Sequence, residues 1–263
     1  MSGNDVLGAV LAFGVAVLTT PAGVSGAVLL LPVQVSILGT PNPAITPTNL
    51  LYNVVATPGG LLRYWRSGAL RGGLAATLIL GTLPGVVIGA AIRVEFLAGP
   101  KAFLVVVAIV LFPLGAWLAT RAAARAPRRS VGEPQVSRST LLGLALLVGI
   151  IGGIYGIGGG SILAPILLAL GFSVYDVAGA ALAATFVTSV VGVLTYQLLQ
   201  LRHGGTIAPD WALGLAMGAG GLAGGYLGAR LQPRIPEALI RRGLGIVVCL
   251  IAVRYLLEGA GVG

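Results

Sequence analysis

Gly152-Gly153-Ile154-Tyr155-Gly156-Ile157-Gly158-Gly159-Gly160-Ser161-Ile162-Leu163-Ala164-Pro165 is a glycine cluster closed by a proline, set inside an apolar run over 139–170. A degenerate copy lies near the start of the chain, within the apolar run 6–38. It reads Thr19-Thr20-Pro21-Ala22-Gly23-Val24-Ser25-Gly26-Ala27-Val28-Leu29-Leu30-Leu31-Pro32, and an offset of 133 lays Gly23 on Gly156, Gly26 on Gly159 and Pro32 on Pro165. Glycine and proline each oppose a helix, by about 1 and 3 kcal/mol relative to alanine. One helix over 6–38 would be about 50 Å long against a hydrocarbon core of ~30 Å. Each run must therefore break, and the shared glycines mark the place. A break inside hydrocarbon frees backbone N–H and C=O groups, which is tolerated only where protein or a water-filled cavity covers them. Paired interruptions at matching places in two halves point to the binding site of a transporter.

The composition agrees. The chain of 263 residues is 57% hydrophobic and 9% charged, with mean hydropathy +1.00 and 42 glycines. Soluble domains carry about 25% charged residues. The net charge of +9 does not indicate nucleic acid, because the basic residues fall in gaps between apolar runs with no aromatic-rich basic face. Loops beside membrane segments account for it. No Lys or Arg precedes Arg63, so residues 1–30 lack the basic start of a cleaved signal peptide. The single cysteine, Cys249, excludes an internal disulfide and reads as a packed apolar residue.

Eight apolar stretches follow one another, at 6–38, 47–65, 72–92, 101–121, 139–170, 176–201, 210–231 and 238–257. They divide into an N-terminal membrane repeat (1–121), a basic linker (122–138) and a C-terminal membrane repeat (139–263). Leu50 and Tyr64 fall on Leu182 and Tyr196 at offset 132, and Gly81, Gly85 and Gly89 fall on Gly220, Gly224 and Gly228 at 139. Glycine at i, i+4 and i+8 makes a small-residue seam on one helix face, a packing device. The linker region, with Arg121, Arg125, Arg128, Arg129 and Arg138, is expected in the cytoplasm.

If each broken stretch crosses once, the halves are parallel repeats with cytoplasmic termini, and Lys/Arg divide 10 to 6 between the two sides. If each dips in and returns, the halves are inverted, with both termini outside. The linker side then gathers Arg63, Arg66, Arg71, the five linker arginines, Arg230, Arg234, Arg241 and Arg242, or 12 of the 16. The inverted arrangement is the more lopsided and is preferred.

The seven acids, Asp5, Glu95, Glu133, Asp176, Asp210, Glu237 and Glu258, read as segment ends or loops, and His203 as a solvated loop residue. No metal-ligand set and no nucleophile-base pair emerges, so the chain is not expected to be an enzyme or to hold a metal or cofactor. What remains at mid-membrane is uncharged. Asn49 and Asn53, four apart, share one helical face, and their positional mates are Ala181 and Thr185. A half-helix should begin after each glycine cluster, near Ser25 and Ser161. Its N-terminus offers unpaired N–H groups and a positive dipole end. The expected site is Thr20, Ser25, Gly26, Asn49, Asn53, Tyr155, Gly158, Gly159, Gly160, Ser161 and Thr185, holding a small anion by donors rather than by a buried arginine.

The run Gly156 to Pro165 resembles the glycine-rich signature of the TauE/SafE permeases, which include sulfite and sulfonate exporters. The first copy, Gly23-Val24-Ser25-Gly26 to Pro32, fits the duplicated architecture of that family, as do Tyr64 and Tyr196 ahead of polar loops. The resemblance implies ATP-independent transport of a sulfur oxyanion or organosulfonate across the inner membrane. The first copy departs from a full glycine run, so the two half-sites are not expected to be equivalent. The fold expectation is an all-α polytopic membrane protein of two repeats, the first segment of each broken or re-entrant. Its partners are the lipid bilayer and a small anionic substrate of the sulfite or sulfonate class, with no nucleic acid; homo-oligomerisation is left open. A passive channel and a membrane subunit of a larger complex are the alternatives.

Overall fold

A computed structural model describes residues 2–20, 25–66, 73–97, 100–121, 136–170, 172, 174–231 and 237–259. Most of the linker (122–135) and residues 21–24, including Gly23, lie outside the described residues. The described residues form helices α1 (Gly3–Thr19), α2 (Ala27–Ser36), α3 (Ile45–Arg66), α4 (Leu74–Glu95), α5 (Pro100–Arg121), α6 (Arg138–Tyr155), α7 (Gly160–Ala169), α8 (Val174–His203), α9 (Trp211–Leu231) and α10 (Glu237–Gly259). Six of the eight apolar stretches become one helix each, and 6–38 and 139–170 become two. By length and apolarity, Leu74–Glu95, Arg138–Tyr155 and Gly179–His203 each qualify as a span. Apolar side chains such as Val10, Ile109, Leu147, Leu198 and Leu250 stand exposed on the outer faces, as a lipid environment requires.

The glycine seams decide how the helices run. A Cβ on Gly220, Gly224 or Gly228 would strike the backbone of Ala9, Phe13 or Val17, so α1 and α9 lie parallel in close contact. Gly81, Gly85 and Gly89 meet Leu142, Leu146 and Ile150 in the same way, so α4 and α6 are parallel. Gly214, Gly218 and Gly59 contact Leu51, Val55 and Leu222, which makes α3 parallel to α9. Gly192 against Leu50 and Gly60 against Leu182 make α3 and α8 antiparallel. Gly115 against Cys249 and Gly245 against Ala119 make α5 and α10 antiparallel. Because α1 and α3 both parallel α9, α2 must carry the chain back. The Asn4 amide does donate to Leu38 O at 3.5 Å, bringing the end of α2 level with the start of α1.

Two charged residues depart from the sequence reading. Arg93 is not in a gap between apolar runs; it lies within α4 and is fully buried. His203 is not a free loop side chain; it ends α8, its Nε2 2.8 Å from Glu95 Oε1.

Candidate functional site

The second break is built from backbone torsions. α6 ends when Gly156 takes a left-handed conformation (φ 85°), its N–H closing onto Gly152 O at 2.7 Å. Gly158 (φ 70°) and Gly159 (φ 75°) stay in that region, which carries no penalty for glycine. The chain thereby reverses within four residues, and α7 starts at Gly160. Gly160 is glycine for space: a Cβ there would strike Ala181 O and the Thr185 hydroxyl on α8. The Gly160 N–H bonds to Gly158 O at 2.9 Å, so it serves the turn and is not offered to a ligand as the sequence reading expected.

The two breaks meet. Ser25 N–H donates to Ser161 Oγ at 3.0 Å, across 136 residues of sequence. The Ser25 hydroxyl donates to Asn53 Oδ1 at 2.6 Å and accepts from Ala27 N at 3.2 Å. Asn53 Nδ2 reaches over to Gly156 O at 3.4 Å, so one buried amide touches both breaks. One turn earlier on α3, Asn49 Nδ2 donates to Ala27 O at 2.9 Å and its Oδ1 accepts from Gln34 Nε2 at 3.3 Å. Tyr155 donates its hydroxyl to Val28 O at 2.8 Å, joining the end of α6 to α2.

Ser25, Gly26, Asn49, Asn53, Tyr155, Gly158, Gly160, Ser161 and Thr185 are thus drawn together. Gly26 lies against the Tyr52 hydroxyl, and Gly159 faces Thr82 and Val148. Thr20 sits apart, its hydroxyl against Gly225 of α9. The asparagines hold backbone carbonyls as well as sharing a face. An NH2 carries two protons, so each can still offer a second donor. The hydroxyl of Ser161, which accepts from Ser25, keeps its own proton to donate. One turn beyond Thr185, Thr188 donates to Gly158 O at 2.7 Å, and Ser189 Oγ is buried without a hydrogen-bond partner beside Gly158. Gln34, which no motif marked, has an equally unpartnered Oε1. Its isolation among Val33, Val35 and Pro32 in an apolar helix was the available signal.

A second polar cluster lies where α4 ends and α3 begins. The Arg93 guanidinium donates through Nε to Thr46 Oγ1 (3.3 Å), and to Leu97 O and Asn42 Oδ1. It lies 3.9 Å from the centre of the Phe103 ring. Thr46 in turn donates to Ile154 O at 3.1 Å, and Tyr196 to Gly153 O at 2.7 Å, so the cluster grips the end of α6 just before Gly156.

The family described as Sulfite exporter TauE/SafE matches residues 8–255. A probable membrane transporter protein, YunE, of Bacillus subtilis is 27% identical over 235 residues, 84% of this chain and 82% of its own. A probable membrane transporter protein of Xylella fastidiosa is 26% identical over 243 residues, 88% of this chain and 87% of its own. Sulfite exporter TauE/SafE family protein 1 of Arabidopsis thaliana is 37% identical over 65 residues, 25% of this chain and 14% of its own. No solved structure matches.

Proposed function

The chain belongs to the sulfite exporter TauE/SafE family of membrane transporters, and from that membership we propose that it exports a small sulfur-containing anion, sulfite or an organosulfonate, across the inner membrane. The observation that carries the reading is the meeting of the two broken segments at Ser25 and Ser161, under the amide of Asn53. The groups there are hydroxyls, amides and backbone, with no carboxylate among the residues that meet. Such a lining stabilises an anion by preorganised dipoles and still allows release.

The helix directions support two inverted repeats, residues 1–121 and 139–263, joined by the linker 122–138. Each helix of the first half runs opposite to its counterpart in the second: α1 to α6, α3 to α8, α4 to α9 and α5 to α10. In this reading α1–α2 and α6–α7 are re-entrant pairs, and transport proceeds by movement of the repeats around the meeting point. Because the first break lacks the glycine run, the two half-sites contribute unequally. The test is flux in proteoliposomes loaded with sulfite or a sulfonate. Uphill movement under an imposed proton gradient is expected; equilibration alone, unaffected by the gradient, overturns the coupled carrier in favour of a passive channel.

A further inference from the structure

We propose that Arg93 supplies a fixed positive charge against which the transported anion is recognised, and that Thr46 ties this charge to the second break. The inference rests on the anion reading above. Arg93 has 0% of its surface exposed, and among the described residues no carboxylate pairs with it. Its partners are a threonine hydroxyl, an asparagine carbonyl, one backbone carbonyl and an aromatic face, all neutral. The end of α4 adds a partial negative charge of about half a unit at most. A buried cation is ordinarily paired, and an ionisable residue held within a membrane protein marks a pathway. The deficit is one unit of negative charge, which a small anion would supply.

The geometry tells what the anion would displace. A guanidinium presents its donors as a planar fork matched to oxyanions. Its outer nitrogens are occupied by Asn42 Oδ1 and Leu97 O, acceptors that an anion replaces with a gain in charge compensation. Nε faces inward, to Thr46, and Thr46 donates to Ile154 O, two residues before the left-handed Gly156. Gly156 O is also the carbonyl that Asn53 holds. Arg93, Thr46 and Ile154 thus form one chain of hydrogen bonds from the guanidinium to the segment that carries Ser161 and the tip of the second break. The device is one-sided, because the residue at the matching offset of 139 is Gln232, which carries no charge.

The experiment measures thermal stabilisation of purified full-length protein by sulfite and by a small sulfonate such as sulfoacetate. Wild type, Arg93→Lys, Arg93→Gln and Asn42→Asp are compared. Arg93→Lys should need about tenfold more anion for half-maximal stabilisation, since the charge stays and the fork is lost. Arg93→Gln should show no stabilisation up to a hundredfold higher concentration. Asn42→Asp places a permanent carboxylate beside Arg93; without anion it should melt at or above the wild-type temperature, and it should no longer respond to anion. It thereby tests the charge even if Arg93→Gln does not fold. An Asn42→Asp or Arg93→Gln protein stabilised by anion as the wild type is overturns the role of Arg93 and leaves the transport reading intact. A wild type stabilised by neither anion overturns both.

Discussion

Asn53 is the residue that both broken segments share, accepting from the Ser25 hydroxyl at 2.6 Å and donating to Gly156 O. Replacing it with alanine leaves the buried Gly156 carbonyl and the half-buried Ser25 hydroxyl short of a partner, a loss of about 1–3 kcal/mol. Asn53→Ala should therefore lower both the melting temperature and the transport rate, whereas Ser161→Asp should separate the two. Ser161 Oγ accepts from Ser25 N–H, and a carboxylate can accept in its place, so the protein should still insert and fold. The added negative charge would sit among groups arranged for an anion and should abolish transport. Normal flux through Ser161→Asp would move the site elsewhere. The four-residue spacing of Asn49 and Asn53 makes this face legible in the sequence. Arg93 is not legible there, because an arginine two residues from Glu95 at the end of an apolar run reads as an interfacial charge. Its burial is the work of Asn42, Leu97 and Phe103, each from a different stretch, and nothing in the local pattern announces their convergence.

Among the elements, the helix breaks could be read from length and glycine content, since a helix of 32 or 33 residues does not fit the bilayer. The functions of individual glycines could not. Gly158 and Gly159 are set by torsion, Gly160 by contact with α8, and Gly26 by the Tyr52 hydroxyl. All four look alike as letters. The seams are different, because a period of four names the face even when the partner helix is unknown. What remained hidden was the exchange of partners: α4 of the first half packs on α6 of the second, and α9 on α1. Gly85→Leu tests this directly. Its side chain would press on Leu146 O and the backbone of Gly149 and Ile150, where no flexible atom can give way. Overpacking of this kind costs about 1–3 kcal/mol, and no rotamer of leucine avoids the facing helix. Gly143→Ala, on the same α6 but with nothing within 4 Å of its added Cβ, should be neutral or stabilising by up to about 1 kcal/mol. Equal melting temperatures for the two variants in detergent would show that the seam does not govern packing.

At the scale of the molecule, the helix directions and the charges constrain each other. α5 begins beside the end of α4, where Phe103 meets Arg93, and runs antiparallel to α10. Following the directions through all ten helices brings the start of α1 and the end of α10 to one side. The end of α5 and the start of α6, which the linker joins, come to the other. The linker side then holds 12 of the 16 basic residues, leaving Arg93, Lys101, Arg202 and Arg254 opposite, and of these Arg93 is withdrawn from water entirely. Cytoplasmic loops carry the excess of Lys and Arg, so the linker should face the cytoplasm and both termini the outside. Arg93 would then lie at the outer end of α4, below the exposed pair of Glu95 and His203. A phosphatase active only outside the cytoplasm, fused after Gly263, should be active, and the same enzyme inserted between Arg121 and Arg138 should be silent. Silence at both positions would contradict the common direction of α6 and α8, because α6–α7 would have to become a full crossing. Activity in the linker with silence at the C-terminus would keep every helix pairing and reverse only the charge assignment. The two fusions together thus separate an error in the fold from an error in its orientation.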